Sequence, residues 1–423
     1  MTTLALKLYR ALTGLAEPLA PLLLDRRAKR GKEDFGRLNE RLGKPKLKRP
    51  SGPLFWLHGV SVGESMSLLP LVERLRSERK DAHVLVTSGT VTSAELLAKR
   101  LPGNVIHQFA PVDAPHAVAG FLDHWKPDVG VFVESELWPN LILGARDRGV
   151  KMVLASARIT EHTAKNWART PKSAHDLLAA FTLVLAQDAE TEGRLESLGR
   201  ASDGRLNLKY AGDPLPFDTN ALAAAKKAAG RRPILLAAST HAGEEELVLE
   251  AYQRLDTDRR GNPLLVIVPR HRERGAAITE QSRAVGFATG RYGEGDGFSS
   301  ECDVYVADSL GELGLWFRLA HNAFLGGSLL PNIGGHNPLE AVQVGTPVIS
   351  GRHVANWAAV YRDLEDAGLA QMLAEPTALT AAWEHSLDTA DTRAAIQKKA
   401  AAIQAQRAAE VEEAVHRIVA LLP

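Results

Sequence analysis

The chain has 423 residues, with 51 lysines and arginines against 50 aspartates and glutamates and a formal net charge of +1. That length exceeds what one hydrophobic core organises, so two domains of about 200 residues each are expected. A composition of 45 % hydrophobic and 24 % charged residues excludes extensive disorder, and the absence of a basic excess argues against a nucleic-acid binder.

The single cysteine, Cys302, permits neither an internal disulfide nor a thiolate metal site, which suits a reducing compartment. No C-x-x-C, H-E-x-x-H or P-loop pattern is present.

Residues 4–24 are apolar but interrupted by Lys7, Arg10, Glu17, Pro18 and Pro21. Charges at mid-bilayer are costly, so this stretch makes a poor transmembrane helix, and it lacks the tripartite order of a cleaved signal peptide. Between Arg26 and Arg49, eleven lysines and arginines face only Glu33, Asp34 and Glu40. An apolar segment followed by a cationic belt fits a surface anchor on an anionic leaflet, where each basic residue adds about 1 kcal/mol. A helix packed on the domain with a solvated basic face is the alternative.

Beyond the belt, short apolar runs alternate with amphipathic stretches, the pattern of βαβ units and a parallel sheet. Strands are predicted at 54–57, 83–87, 129–133, 151–155 and 183–186, then again at 234–238, 264–268, 304–306, 323–325 and 347–349. The breaker-rich Gly212-Asp213-Pro214-Leu215-Pro216-Phe217-Asp218 separates the two sets. The expected organisation is an N-terminal segment 1–50, a first Rossmann-like domain 51–217, and a second one 218–423 that includes a helical tail from Thr392 to Leu422. Two such α/β domains with parallel sheets facing an interdomain cleft form the GT-B arrangement, although this pattern alone also admits epimerases and kinases.

Polar turns follow several strands, where a parallel sheet places its ligands. His58-Gly59-Val60-Ser61-Val62-Gly63-Glu64 presents a carboxylate at a helix start, either for chemistry or to complement the helix dipole. Glu134-Ser135-Glu136-Leu137-Trp138-Pro139-Asn140 places two carboxylates past the next central strand, and Ser156-Ala157-Arg158 puts an arginine after the one following. In the second half, Ser239-Thr240-His241-Ala242-Gly243-Glu244 reads as a phosphate cradle or a capping box, and Pro269-Arg270-His271 adds a cation and an imidazole. Gly326-Gly327-Ser328-Leu329-Leu330-Pro331-Asn332-Ile333-Gly334-Gly335-His336-Asn337-Pro338-Leu339-Glu340 crowds four glycines, an amide and an imidazole into one turn. Free backbone N–H groups there suit a phosphate, and Glu340 suits ribose hydroxyls.

Taken in order, these motifs resemble the 3-deoxy-D-manno-oct-2-ulosonic acid (Kdo) transferases, over nearly the whole chain. Asn39-Glu40-Arg41-Leu42-Gly43 is similar to that family's E-R-[YL]-G, and Gly311-Glu312-Leu313 also matches. The resemblance implies an inverting GT-B enzyme on the cytoplasmic face of the inner membrane, peripheral or N-terminally anchored, moving Kdo from CMP-Kdo to a lipid A precursor. It implies Glu64 as general base and Glu134 as support for the transition state. CMP would be held by Pro269, Arg270, Leu310, Gly311, Glu312, Asn337, Pro338, Leu339 and Glu340, with Ser239, Thr240, His241, Arg158 and His336 in support. No metal or cofactor is expected, because one phosphate is neutralised by an arginine and backbone dipoles.

One departure is expected to matter. The family's G-[NS]-L-K-[FY]-D is sought in the interdomain segment, where Pro216 stands in the lysine's place, with Lys209 or Arg158 as substitutes. Alternatives are a GT-B transferase using a UDP-sugar, a UDP-sugar 2-epimerase, and an inactive paralogue that only binds nucleotide.

Overall fold

The computed structural model describes residues 3–212, 214–256, 261–389 and 393–423. Asp213 and Thr392, cited above for the linker and the tail, lie outside the described residues. The chain divides into two compact units, Met1–Gly212 with Gln406–Pro423, and Asp213–Ala405.

The first unit is built on β1 (Leu54–His58), β2 (His83–Ser88), β3 (Ile106–Phe109), β4 (Val129–Val133), β5 (Lys151–Ala157) and β6 (Phe181–Ala186). They form one sheet in the order β3-β2-β1-β4-β5-β6, every pair parallel. Strands covered on both faces read as continuous apolar runs, and β1 and β4 are buried at every position. Trp56, Phe121, Trp125 and Phe132 fill one face, and Leu57, Leu68, Val72 and Val131 the other. Strand order reverses between β1 and β4, so the crevice beyond their carboxyl ends is where such a sheet takes a ligand.

The second unit holds β7 (Ile234–Thr240), β8 (Leu264–Pro269), β9 (Thr289–Arg291), β10 (Val304–Val306), β11 (Asn322–Leu325), β12 (Val348–Gly351) and β13 (Ala370–Leu373). Their order is β13-β12-β11-β7-β8-β10-β9, again parallel throughout, with the reversal between β7 and β11. Strands β3, β9 and β13 were not anticipated; they are edge strands of three or four residues, too short for a periodic signal.

The expected domain 218–423 needs correction at its end. The tail is a helix, Arg393–Val419, but from Gln406 onward it belongs to the first unit. Val411, Ala414, Val415, Ile418 and Leu422 pack into the face that holds Leu57 and Leu68. Burying that apolar stripe on the first sheet returns the chain to where it began.

The N-terminal segment is likewise part of the first unit rather than a separate body. Helices Leu4–Ala16 and Ala20–Ala28 bury Leu6, Leu24 and Ala28. Tyr9 donates to Asp113 at 2.9 Å, and the Glu17 carboxylate accepts the His116 and Ala117 N–H groups at 3.0 and 2.7 Å. The outer faces leave Leu4, Leu8, Leu12, Leu15, Leu19, Leu22 and Leu23 exposed. Among the described residues no helix is long and apolar enough to cross a membrane.

The Glu40-Arg41-Leu42-Gly43 motif ties this segment down. Glu40 accepts the Phe109 N–H at 2.8 Å, and Val112 N–H bonds the Arg41 carbonyl. At Gly43 (φ 70°) an added Cβ would lie 2.0 Å from the Ala117 carbonyl oxygen, so only glycine fits.

Candidate active site

In the first unit the carboxyl end of β1 runs into the helix Val62–Glu78. Ser61 caps that helix, accepting the Glu64 N–H at 3.2 Å and donating to the Glu64 carboxylate at 2.8 Å. The other carboxylate oxygen accepts the Val60 N–H at 2.7 Å. Gly59 permits the approach, since a Cβ there would sit 3.1 Å from that of Glu64 and 3.2 Å from Val133. The capping reading of Glu64 is therefore realised in the geometry, and the carboxylate is held in one place by it.

Beside it, at the end of β4, Glu134 adopts φ 57°, and Ser156 in β5 adopts φ 50°. Non-glycine residues in this region are held there by their surroundings. Here the Glu134 N–H bonds the Ala155 carbonyl, and the Glu134 carbonyl accepts the Arg158 N–H. Burial pushes the Glu134 carboxyl above its ordinary range, Lys209 works against that, and Glu64 reinforces it. Glu136 is pushed up to about 7 by burial and then by Glu64, while the Trp138 indole N–H it accepts holds it back. Three carboxylates, Lys209 and Arg158 thus share one electrostatic environment.

Lys209 overturns the expected departure. Asn207-Leu208-Lys209-Tyr210 carries the N-L-K-Y of the family's pattern, and its lysine is half-buried beside Glu134, burial lowering its pKa and Glu134 opposing that. Asn207 begins the turn, its side chain accepting the Lys209 N–H at 3.1 Å. Pro216 belongs instead to the second unit, where its carbonyl packs against Gly314. The lysine is present, upstream of where it was sought, and the signal was readable in the sequence.

In the second unit, β7 ends in a register shift at Ser239 (φ 56°). Glu244, fully buried at the start of the helix Glu244–Gln253, accepts four backbone N–H groups. They are those of His241 at 3.1 Å, Gly327 at 2.7 Å, and Ser328 and Leu329 at 2.9 Å. This carboxylate stitches the β7 turn to the β11 turn, a role beyond the capping box expected of it. Gly326 lets the two turns touch: a Cβ would lie 2.5 Å from the Ser239 carbonyl oxygen.

The His241 and His336 Nε2 atoms are 2.8 Å apart, within hydrogen-bonding distance, the donor being set by the tautomer of each ring. Burial pushes His336 down to about 4, and His241 is lowered by the same cause. Asn337 donates to Glu340 at 3.2 Å and accepts the Leu339 N–H at 3.0 Å. Burial raises the Glu340 pKa, against the Asn337 bond and Arg270. Arg270, at the end of β8, is exposed and anchored through its own N–H to the Thr240 carbonyl. Ser239, Thr240, His241, Arg270, His336, Asn337, Pro338, Leu339 and Glu340 thus gather at the carboxyl ends of β7, β8 and β11. Leu310, Gly311 and Glu312 lie past β10, two strands from β7, with Leu310 exposed, Gly311 at φ 86° and Glu312 taking the Ser309 hydroxyl.

Two parallel-sheet Rossmann-like units, each with its polar turns at a strand-order reversal, define the α/β class that includes GT-B glycosyltransferases and sugar-nucleotide epimerases. The UDP-GlcNAc 2-epimerase from Neisseria meningitidis shares this fold, with a TM-score of 0.57 at 12 % identity over 87 % of this chain and 99 % of that one. Residues 36–211 match the family model for 3-deoxy-D-manno-octulosonic-acid transferase (kdotransferase). A probable mitochondrial 3-deoxy-D-manno-octulosonic acid transferase of Arabidopsis thaliana is 34 % identical, covering 85 % of this chain and 83 % of the relative. The Haemophilus influenzae 3-deoxy-D-manno-octulosonic acid transferase is 30 % identical over 91 % of each. The chain belongs to the 3-deoxy-D-manno-octulosonic acid transferase family and is a glycosyltransferase.

Proposed function

We propose that this enzyme transfers Kdo from CMP-Kdo to a hydroxyl of a lipid A precursor, with inversion and without a covalent intermediate. A sugar hydroxyl is a weak nucleophile and loses its proton as the new C–O bond forms. Glu64 takes that proton on an oxygen already oriented by Ser61 or Val60. As the bond forms on the ketosidic carbon, the bond to the phosphate oxygen breaks and its electron pair leaves with CMP. Positive charge on the sugar meets the Glu134 carboxyl, whose ionised form Lys209 favours against burial and Glu64. Arg270, with the turn Gly334–Asn337, neutralises the departing phosphate, and Glu340 holds ribose hydroxyls. The observation that carries this reading is the grouping of Glu64, Glu134 and Lys209 beyond β1 and β4.

The exposed leucines of the first two helices and the basic belt support seating on an anionic membrane surface, where a lipid acceptor resides. The test is CMP release from CMP-Kdo with a lipid A precursor, alongside UDP-GlcNAc as a competing donor or epimerase substrate. CMP release that depends on the acceptor supports the reading; turnover of UDP-GlcNAc alone rejects it.

A further inference from the structure

The first unit contains a cavity of about 420 Å³ to which the proposed mechanism assigns no role. It is bordered by Val60, whose N–H is held by Glu64, so it runs alongside the turn carrying the proposed base. Leu24, Trp138 and Leu141 make one wall apolar. Two arginines occupy the other, sharing one carboxylate. Arg27 Nε donates to Glu33 at 2.9 Å, and Arg41 Nε reaches the second Glu33 oxygen at 3.3 Å. The remaining acid on the wall, Asp113, is occupied by the Tyr9 hydroxyl and the Asn140 and Leu141 N–H groups.

That arrangement leaves donors over. Arg41 spends one Nη on the Ala110 carbonyl, while its other Nη and both of Arg27's bond to no protein atom among the described residues. Paired guanidinium edges facing one space are suited to a tetrahedral anion, which each can meet with two parallel N–H groups. A second, independent feature lies on the same wall. His58 is fully buried, its Nδ1 is taken by Thr87 at 2.9 Å, and its Nε2 has no partner. Burial keeps this imidazole neutral, its pKa pushed down to about 3. A buried polar atom left unpaired is costly unless something else pairs with it.

We infer that this cavity is the acceptor subsite, in which Arg27 and Arg41 bind a phosphate of a phosphorylated sugar amphiphile. The chemistry divides accordingly: phosphate on the guanidiniums, a sugar hydroxyl on His58, and acyl chain along Leu24, Leu141 and the exposed leucines. This inference rests on the transferase reading for the identity of its acceptor.

Arg27 is the residue to change, because Arg41 also supports the chain around Ala110 and its loss would disturb folding. Initial rates are measured with a lipid A precursor and with the same lipid after phosphatase treatment, with CMP affinity as the folding control. Arg27→Gln is expected to raise KM for the phosphorylated acceptor about tenfold, the scale of one charged hydrogen bond, and to leave KM for the dephosphorylated one unmoved. Equal changes on both acceptors, or none on either, would overturn the assignment. So would unchanged acceptor KM in detergent with lost flotation on phosphatidic acid vesicles, since the arginines would then serve bulk lipid. If CMP-Kdo gives no turnover at all, calorimetric titration of both lipids into wild type and Arg27→Gln makes the same comparison. Failure of the transferase reading is thereby separated from failure of this one.

Discussion

Ser61 and Glu64 cap each other: the serine hydroxyl accepts the glutamate's backbone N–H at 3.2 Å and donates to its carboxylate at 2.8 Å. One side chain thus serves both the helix start and the proposed proton transfer, and the two roles are separable by mutation. Glu64→Gln keeps an acceptor oxygen for the cap but not the basicity. It is expected to lower turnover by about 10²–10⁴-fold with CMP binding nearly unchanged. Ser61→Ala should cost about 1 kcal/mol of stability and much less in turnover. Near-wild-type rates for Glu64→Gln in the CMP-release assay would remove the base assignment.

Lys209 and Pro216 make opposite predictions. Lys209→Met removes the cation beside Glu134, so turnover should fall at least tenfold and the Glu134 carboxyl should titrate at higher pH. Pro216→Lys should restore nothing, because that position lies against Gly314 in the second unit. A rate increase from Pro216→Lys would assign the cationic role to position 216 and not to Lys209.

Glu136 links the site to stability. Its folded pKa is raised from an ordinary value of 4.5 to about 7, so the folded state is favoured while the group is protonated. That contribution is full below about 4.5 and is lost as pH rises through about 7. Glu136→Gln, neutral throughout, should therefore gain in Tm relative to wild type as pH goes from 5 to 8. A Tm difference that stays flat across that range would contradict the shift.

The exposed leucines predict a membrane response independent of fold. Replacing Leu8, Leu12, Leu15 and Leu19 by glutamine alters only solvent-facing positions, so nucleotide affinity should hold while flotation on anionic vesicles falls. Raising salt should weaken the remaining binding by screening the basic belt. Unchanged flotation in both conditions would assign these leucines to another contact.

From the sequence alone, the alternation of apolar runs and amphipathic stretches identified two parallel α/β domains, because strands buried on both faces must be apolar throughout. The His58–Glu64 and Gly326–Glu340 motifs were readable for a related reason: glycine clusters at strand ends are local backbone requirements, visible without neighbours. Partner choice was not visible. Val411, Val415 and Ile418 form an apolar stripe that says a face is buried but not on which sheet, and only the fold returned it to the first unit. Glu244 looked like a local cap, yet three of its four bonds reach residues 83 to 85 positions away. Lys209 stood in plain sequence, but its value comes from Glu134, two strands and four helices distant along the chain and adjacent only after β4, β5 and β6 align. Local periodicity encodes which faces are apolar, and long-range packing decides what each face and each charge meets.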